Sequence, residues 1–189
     1  MSNRALLVID IQNDYFPGGK WPLAGIDAAA DNAARAIAAA RAAGDTVIHV
    51  RHEFRSADAP FFAPGSEGAQ IHPKAAKRDG EPVVLKHFAN AFRETELQAL
   101  LQRRGIEEVV VVGAMSHMCV DAATRAASDL GYKVTVLHDA CATRDLTFDG
   151  VTVPAAQAHA AFMAALASSY AKVVPTADYL AATAAPEHA

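Results

Sequence analysis

Three residues with reactive side chains each follow an apolar run. Asp10 comes after ALLVI, Lys86 after VVL, and Cys119 a few residues after VVVV. A thiolate attacks carbonyl carbon, a carboxylate can take the thiol proton, and an ammonium favours the charged form of both. Taken singly, each residue has a simpler interpretation: a turn-forming Asp, a solvent-facing Lys and a small buried Cys. Their joint occurrence indicates a thiol active site.

Apolar, β-branched runs alternate with alanine-rich helical stretches along the 189 residues. Strands covered on both faces and separated by helices indicate a parallel sheet. The sequence therefore predicts one three-layer, doubly wound α/β domain of the Rossmann type over residues 1–180, with a mostly parallel sheet and a frayed tail over 181–189. The predicted strands are 5–9, 46–50, 81–85, 109–112, 133–137 and 172–174, and the predicted helices are 27–43, 94–104, 120–130 and 154–168.

The carboxyl ends of the strands are where open α/β sheets bind ligands. Asp10, Lys86 and Cys119 are all expected at that edge. Cys119 would lie at a helix N-terminus, whose partial positive charge, with Lys86 beside it, should lower the thiol pKa. Its backbone amide, with one from the 113–118 turn, could bind an oxyanion.

Composition excludes several other classes of function. The net charge of −4, with 20% charged residues, gives no basic surface for nucleic acid or an anionic membrane. No apolar run approaches the roughly 20 residues that span a bilayer, and no signal-like segment is present, so we expect a cytoplasmic protein. The two cysteines form no CxxC pair, which favours free thiols over a disulfide or a redox pair.

The motifs ALLVIDIQNDYF, VVLKHFANAF and VVVVGAMSHMCVDAATRAASDLGY together resemble the isochorismatase-like cysteine hydrolases, which include nicotinamidases and N-carbamoylsarcosine amidase. The resemblance implies a catalytic triad of Asp10, Lys86 and Cys119. It also implies a cis peptide between Ala114 and Met115 that aims the Met115 amide into an oxyanion hole with the Cys119 amide. It further implies a homo-oligomer, a dimer or tetramer, in which a neighbouring subunit can help to close the pocket.

The resemblance departs from nicotinamidases at the stretch HVRHEF, which lacks their metal-binding Asp-x-His pair. His49 and His52 are three residues apart, and on a strand they face opposite sides. We therefore expect no metal and no other cofactor. Strand packing is expected for His49, and a polar or pocket-wall role for His52.

Further residues are candidates to line the substrate pocket. Each also has a structural explanation: turn chemistry for Gln12, ordinary core packing for the aromatic residues and an exposed loop for His117. Cys141 is expected to be a buried structural thiol, and 148–153 an apolar stretch that packs or contacts a partner. The pocket candidates are Gln12, Phe16, Trp21, His52, Phe61, Phe62, Phe88 and His117.

The predicted function is hydrolysis of a C–N bond, of the amide or ureido type, in a small molecule through a thioester. One alternative is an isochorismatase-type vinyl ether hydrolase, in which Asp10 is the main actor. Others are a thiol redox protein and a non-catalytic binding protein of the same fold. Neither CxxC nor GxGxxG is present to support a redox enzyme.

Overall fold

The computed structural model describes residues 2–184 and contains the predicted parallel sheet. Its six strands lie in the order β3-β2-β1-β4-β5-β8, and every neighbouring pair is parallel. The predicted α/β fold class is confirmed. The strands of this sheet are β1 (Arg4–Ile9), β2 (Thr46–His52), β3 (Val83–Lys86), β4 (Glu108–Ala114), β5 (Lys133–Ala142) and β8 (Lys172–Val174).

Alternate residues of each central strand point to two separate apolar cores. Leu6 and Val8 pack with α1 and α5 on one face, whereas Leu7 and Ile9 pack with α2, α3 and α4 on the other. This alternation, with helices on both faces, gives the three layers expected from β-branched runs without polar residues. The helices are α1 (Ile26–Ala42), α2 (Leu97–Arg103), α3 (Asp121–Asp129), α4 (Ala155–Ser169) and α5 (Thr176–Ala184).

Several element boundaries differ from those predicted. β2 continues to His52 and β5 to Ala142, because ladder pairing with neighbours extends both strands beyond their apolar runs. α2 begins three residues late, since Glu94 has φ +55° and cannot belong to a right-handed helix.

Two structural elements near the C-terminus were not predicted. An antiparallel hairpin pairs β6 (Leu146–Phe148) with β7 (Val151–Val153), outside the main sheet. α5 covers positions 181–184 of the predicted frayed tail, and the rest of that tail lies outside the described residues. Within residues 2–184, every helix is too short or too polar to span a bilayer.

The strand order reverses between β1 and β4, which makes their carboxyl ends the expected ligand-binding edge. Gly113 lets these two strands approach there. It pairs with Ile9, has φ +125°, and a Cβ at this position would overlap the Ile9 carbonyl oxygen. Only glycine satisfies both constraints, so this residue sets how closely the turn after β4 lies to the end of β1.

Replacing Gly113 by alanine should therefore destabilise the protein through a clash as well as through backbone strain. Gly131 is a matched control, since it has φ +92° and open space at its Cβ position. Gly131→Ala should cost about 1–2 kcal/mol of unfolding free energy, and Gly113→Ala at least about 2 kcal/mol more. Urea unfolding measures both, and equal losses would show that the close approach is unimportant.

Candidate active site

The ammonium of Lys86 lies at the centre of a buried polar cluster. Its Nζ is 2.8 Å from Asp10 Oδ2, 3.0 Å from His52 Nδ1 and 3.3 Å from Cys119 Sγ. Asp10 and Lys86 have no exposed surface, and Cys119 and His52 are each 6% exposed. The structure thus brings together the three residues singled out by the sequence and adds His52 to them.

The parallel strands explain how residues distant in sequence meet here. Lys86 ends β3, and its register partner His52 ends β2. Asp10 directly follows β1 and takes φ +50°, while its amide donates to the Val50 carbonyl. A left-handed conformation at a residue other than glycine is uncommon, and here it turns the chain as the strand ends.

Cys119 is delivered by the turn that follows β4. The Ala114–Met115 peptide is cis, in agreement with the resemblance, and a π-helical turn over Ser116–Val120 leads into α3. The Met115 carbonyl accepts from the amides of Met118 and Val120. The oxyanion hole expected from the Met115 and Cys119 amides remains a prediction.

The Cys119 thiol is protonated at neutral pH. Burial, followed by the negative charge of Asp10, raises its pKa to about 12 against the opposing influence of Lys86. Lys86 lowers the thiol pKa, as expected, but desolvation and the adjacent negative charge are stronger, so the expected net decrease in this pKa is corrected to a net increase. Any attack by this sulfur requires a base to take its proton first.

His52 is neutral in this cluster. Burial, followed by the Lys86 charge, lowers its pKa to about 4. An ammonium can only donate, so Nδ1 accepts and Nε2 carries the proton. Nε2 is buried and has no hydrogen-bond partner within residues 2–184.

Asp10, His52 and Cys119 are close enough together to suggest a metal site. Their nearest ligand atoms all lie within 4.8 Å of one another. However, the Lys86 ammonium already contacts all three, and a metal ion would have to displace this buried positive charge. His49 does not contribute, since its Nε2 lies 3.0 Å from Glu81 Oε2 instead. The absence of a metal thus stays a prediction that the geometry favours.

Gln12 holds the end of β2 rather than lying free beside Asp10. Its amide donates to the carbonyls of His52 and Ala69 at 2.8 and 2.7 Å, and its Oε1 accepts from the His52 amide at 2.8 Å. With one side chain satisfying three backbone groups, Gln12 fixes His52 relative to the irregular 53–82 segment. Its place in the substrate pocket stays a prediction.

Asp14 was missed by the sequence analysis. This buried carboxylate accepts from the amides of Phe62 and Lys20, at 2.7 and 3.1 Å, and ties two loops together. Gly68 packs so closely on it that a Cβ there would overlap the carboxyl group. The motif DIQNDYF contains two acids at four-residue spacing, and nothing in that spacing distinguishes the loop-organising one from the one at the strand end.

Only some of the aromatic candidates form one wall. Trp21 stacks on Phe61, with ring centroids 4.6 Å apart, and Phe54 connects Phe61 to His52 through two edge contacts. Phe62 lies 5.0 Å from Phe61 and 6.2 Å from the His52 ring. Phe54 was not among the pocket candidates, although it ends the stretch HVRHEF.

The remaining candidates lie apart from that wall. Phe16 stacks on His72 at 3.5 Å, and Phe88 lies beneath the guanidinium of Arg93 at 3.7 Å. His117 Nδ1 is 2.6 Å from the Thr143 hydroxyl, which ties the turn before Cys119 to the end of β5.

Cys141 is a buried free thiol and, like Cys119, forms no disulfide. It pairs with Gly113 across β4 and β5. This placement supports the structural role predicted for it.

Comparison with known proteins gives the family. The Isochorismatase domain matches residues 4–178. An isochorismatase family protein of Bacillus subtilis, YddQ, is 47% identical over 176 residues, covering 93% of this chain and 98% of that protein. The crystal structure of an Oleispira antarctica protein assigned to the isochorismatase hydrolases superposes with a TM-score of 0.92 at 56% identity, covering 96% of this chain and 98% of that one.

More distant relatives include enzymes named for amide hydrolysis. The nicotinamidase of Escherichia coli is 30% identical, covering 75% of this chain and 84% of that enzyme. The maleamate amidohydrolase of Pseudomonas putida is 29% identical, covering 74% and 72%. The resemblance expected from the three motifs is confirmed, and the chain belongs to the isochorismatase family.

Proposed function

We propose that the protein is a cysteine hydrolase that cleaves the C–N bond of a small amide or ureido compound through a thioester. The observation that carries the proposal is the Lys86 ammonium, which contacts both the Asp10 carboxylate and the Cys119 sulfur at a buried sheet edge. The names of the amide-hydrolysing relatives support the bond type. The reaction needs no redox cofactor.

In the first step, Asp10 takes the thiol proton of Cys119. The cluster has one positive and one negative charge before the transfer and the same charges after it, since only the position of the negative charge moves. The Lys86 ammonium contacts both positions, at 2.8 Å and 3.3 Å. A buried site can therefore form the thiolate without gaining net charge, which avoids a large desolvation cost.

The thiolate then attacks the carbonyl carbon of the substrate. The resulting oxyanion is held by the amides of Met115 and Cys119, and one such donor is worth about 2.7–4 kcal/mol in acyl transfer. Asp10 gives its proton to the leaving nitrogen as the C–N bond breaks. Asp10 then deprotonates a water, which attacks the thioester carbonyl. As the C–S bond breaks, the carboxylic or carbamic acid is released and Asp10 returns the proton to Cys119.

A surface cavity of about 500 Å³ is proposed as the outer part of the substrate entrance, since its lining does not include the triad itself. Its lining includes Trp21, which belongs to the aromatic wall that leads to His52, and Arg144, the neighbour of Thr143. The hydrogen bond between Thr143 and His117 links this cavity to the turn before Cys119. The volume suits a small molecule.

Asp10→Asn and Lys86→Met should shift the reactivity of Cys119 in opposite directions. Asp10 raises the thiol pKa and Lys86 lowers it, so the first change should speed alkylation by iodoacetamide and the second should slow it. One pKa unit corresponds to roughly tenfold in thiolate at pH values below the pKa. The rate at Cys119 is followed by mass spectrometry of its peptide between pH 7 and pH 10.

Cys141 is the internal control for that experiment. Its pKa is also raised to about 12, but by burial and Asp139, with no influence from Asp10 or Lys86. Its alkylation should be unchanged in both variants. A shift of the same sign in the two variants, or none, would contradict the shared-ammonium arrangement.

Cys119→Ala should abolish hydrolysis of the amides that the wild-type protein cleaves. The panel contains nicotinamide, ureido acids, biuret-like compounds and short aliphatic amides, and released ammonia is measured. Loss of a covalent nucleophile should lower kcat by about 10³-fold or more, whereas Cys141→Ala should keep most of the activity. Retained activity in Cys119→Ala would exclude the thioester route and favour the Asp10-centred, vinyl ether type of chemistry.

We also propose a cytoplasmic homo-oligomer. The two free thiols support a reducing compartment.

The hairpin β6–β7 supports association, since Phe148 and Val151 are 85% and 63% exposed and form an apolar patch. The chain mass is 19.9 kDa, and light scattering should give a multiple of it. Replacing both residues by serine should lower the measured mass, whereas Phe148→Leu should not; a monomeric wild-type protein would contradict the proposal.

A further inference from the structure

We propose that His52 is a positioning residue that holds the Lys86 ammonium in place throughout the reaction. The inference rests on the hydrolase function proposed above. Its basis is the 3.0 Å contact between His52 Nδ1 and Lys86 Nζ, inside a cluster where both side chains are buried.

The number of donors on the ammonium matches the number of acceptors around it. A protonated lysine has three N–H donors. Three acceptors lie within 3.3 Å of Nζ: one carboxylate oxygen of Asp10, one ring nitrogen of His52 and the sulfur of Cys119. Asp10 contributes an ion pair, whereas His52 and Cys119 are the hydrogen-bond partners of Nζ. Removing His52 therefore leaves a buried N–H unsatisfied, which weakens the charged form.

His52 is the one acceptor of the three that does not change during the proposed cycle. Asp10 loses its negative charge when it takes the thiol proton and regains it when it protonates the leaving nitrogen, and the sulfur loses its charge when it bonds to the carbonyl carbon. The imidazole nitrogen stays neutral and basic at every stage. Between attack by the sulfur and cleavage of the C–N bond, Asp10 is protonated and the sulfur is bonded to carbon, so at that stage His52 is the partner that keeps Lys86 from turning away.

The fold fixes His52 from three sides. Its backbone amide donates a hydrogen bond to the Gln12 side chain, and its carbonyl accepts one from it. The ring contacts Phe54, with centroids 4.6 Å apart, and Phe62 at 6.2 Å. β2 lies between β1 and β3, so its last residue stands between the strand that Asp10 follows and the strand that Lys86 ends.

Burial, together with the surrounding charges, keeps the His52 ring neutral and able to accept a hydrogen bond at Nδ1. Lys86 and His87 disfavour protonation of His52, whereas Asp10 favours it, and burial contributes most to keeping the ring neutral. Tyr15, which is buried and influenced by Asp10 and Cys119, has a pKa well above its ordinary value and stays uncharged. Above the His52 pKa of about 4, Nδ1 therefore remains available to Lys86.

Three substitutions separate positioning from packing. His52→Asn places a carbonyl oxygen near the position of Nδ1, His52→Gln places its amide nearer Nε2, and His52→Phe keeps a ring against Phe54 without an acceptor. If His52 served only to pack, His52→Phe should keep more activity than His52→Asn. If His52 positions Lys86, His52→Asn should keep the most activity of the three variants. His52→Phe should lose about tenfold or more in kcat, the size expected when a charged group loses a hydrogen bond.

The pH profile is the readout that a packing role would not move. Without its acceptor the ammonium is less stable, so Lys86 should lose its proton at lower pH. The alkaline limit of activity should therefore shift to lower pH in His52→Phe and stay in place in His52→Asn. Superimposable profiles for the wild-type and Phe proteins, or equal losses in Asn and Phe, would overturn the proposal. Thermal unfolding of each variant checks that it is folded.

Alkylation of Cys119 tests His52 without any substrate. At pH 8 the rate should be about fivefold or more lower in His52→Phe than in His52→Asn, because a loosened ammonium stabilises the thiolate less. If the amide panel yields no ammonia but this difference is found, the proposed function fails and the role of His52 stands. If hydrolysis occurs and the two alkylation rates agree, the role of His52 is wrong and the hydrolase remains.

Discussion

A fully buried ammonium is the interaction on which this site depends. Removing a charge of this kind from water costs several kcal/mol even after the protein relaxes, and the Lys86 side chain has no exposed surface. The cost is offset only if every N–H finds a partner and an opposite charge lies near. Asp10 supplies that charge, and His52 and Cys119 supply the other two acceptors. The four residues are therefore energetically coupled, and changing any one alters the protonation of the others.

The backbone meets this demand with parallel strands and two unusual conformations. β3, β2 and β1 are neighbours, so Lys86, His52 and Asp10 reach one edge of the sheet from three consecutive positions. Asp10 at φ +50° and Gly113 at φ +125° then set the end of β1 and the approach of β4. The loops beyond are tied back by Asp14 and Gln12, whose side chains replace the backbone ladder that the strands no longer provide. Strain and buried polar groups thus concentrate where four strands end.

The sequence predicted the sheet because continuous β-branched runs have a direct physical meaning, and it placed Asp10, Lys86 and Cys119 because they follow such runs. Prediction from the sequence failed where strand pairing, rather than composition, determines the end of a strand. β2 continues through Arg51 and His52 because β3 pairs with it there, and this extension brings His52 beside Lys86. The sign of the thiol pKa shift also escaped prediction, since desolvation and proximity to Asp10 are properties of the packed molecule. Aromatic residues were identified by type, but Phe16 and Phe88 meet other partners than Trp21 does.

The raised thiol pKa has a consequence for how selectivity arises in the proposed reaction. Because its pKa is raised well above the ordinary value, Cys119 is almost entirely in the thiol form at pH 7, and the sulfur is hardly exposed. A solvent-exposed thiol of low pKa would react with oxidants and unrelated electrophiles. Here the nucleophile forms by internal transfer to Asp10 and acts on a carbonyl carbon already held against the sulfur. Reactivity then depends on substrate geometry more than on thiolate supply, which gives the aromatic wall and the turn before Cys119 control over which amide is cleaved.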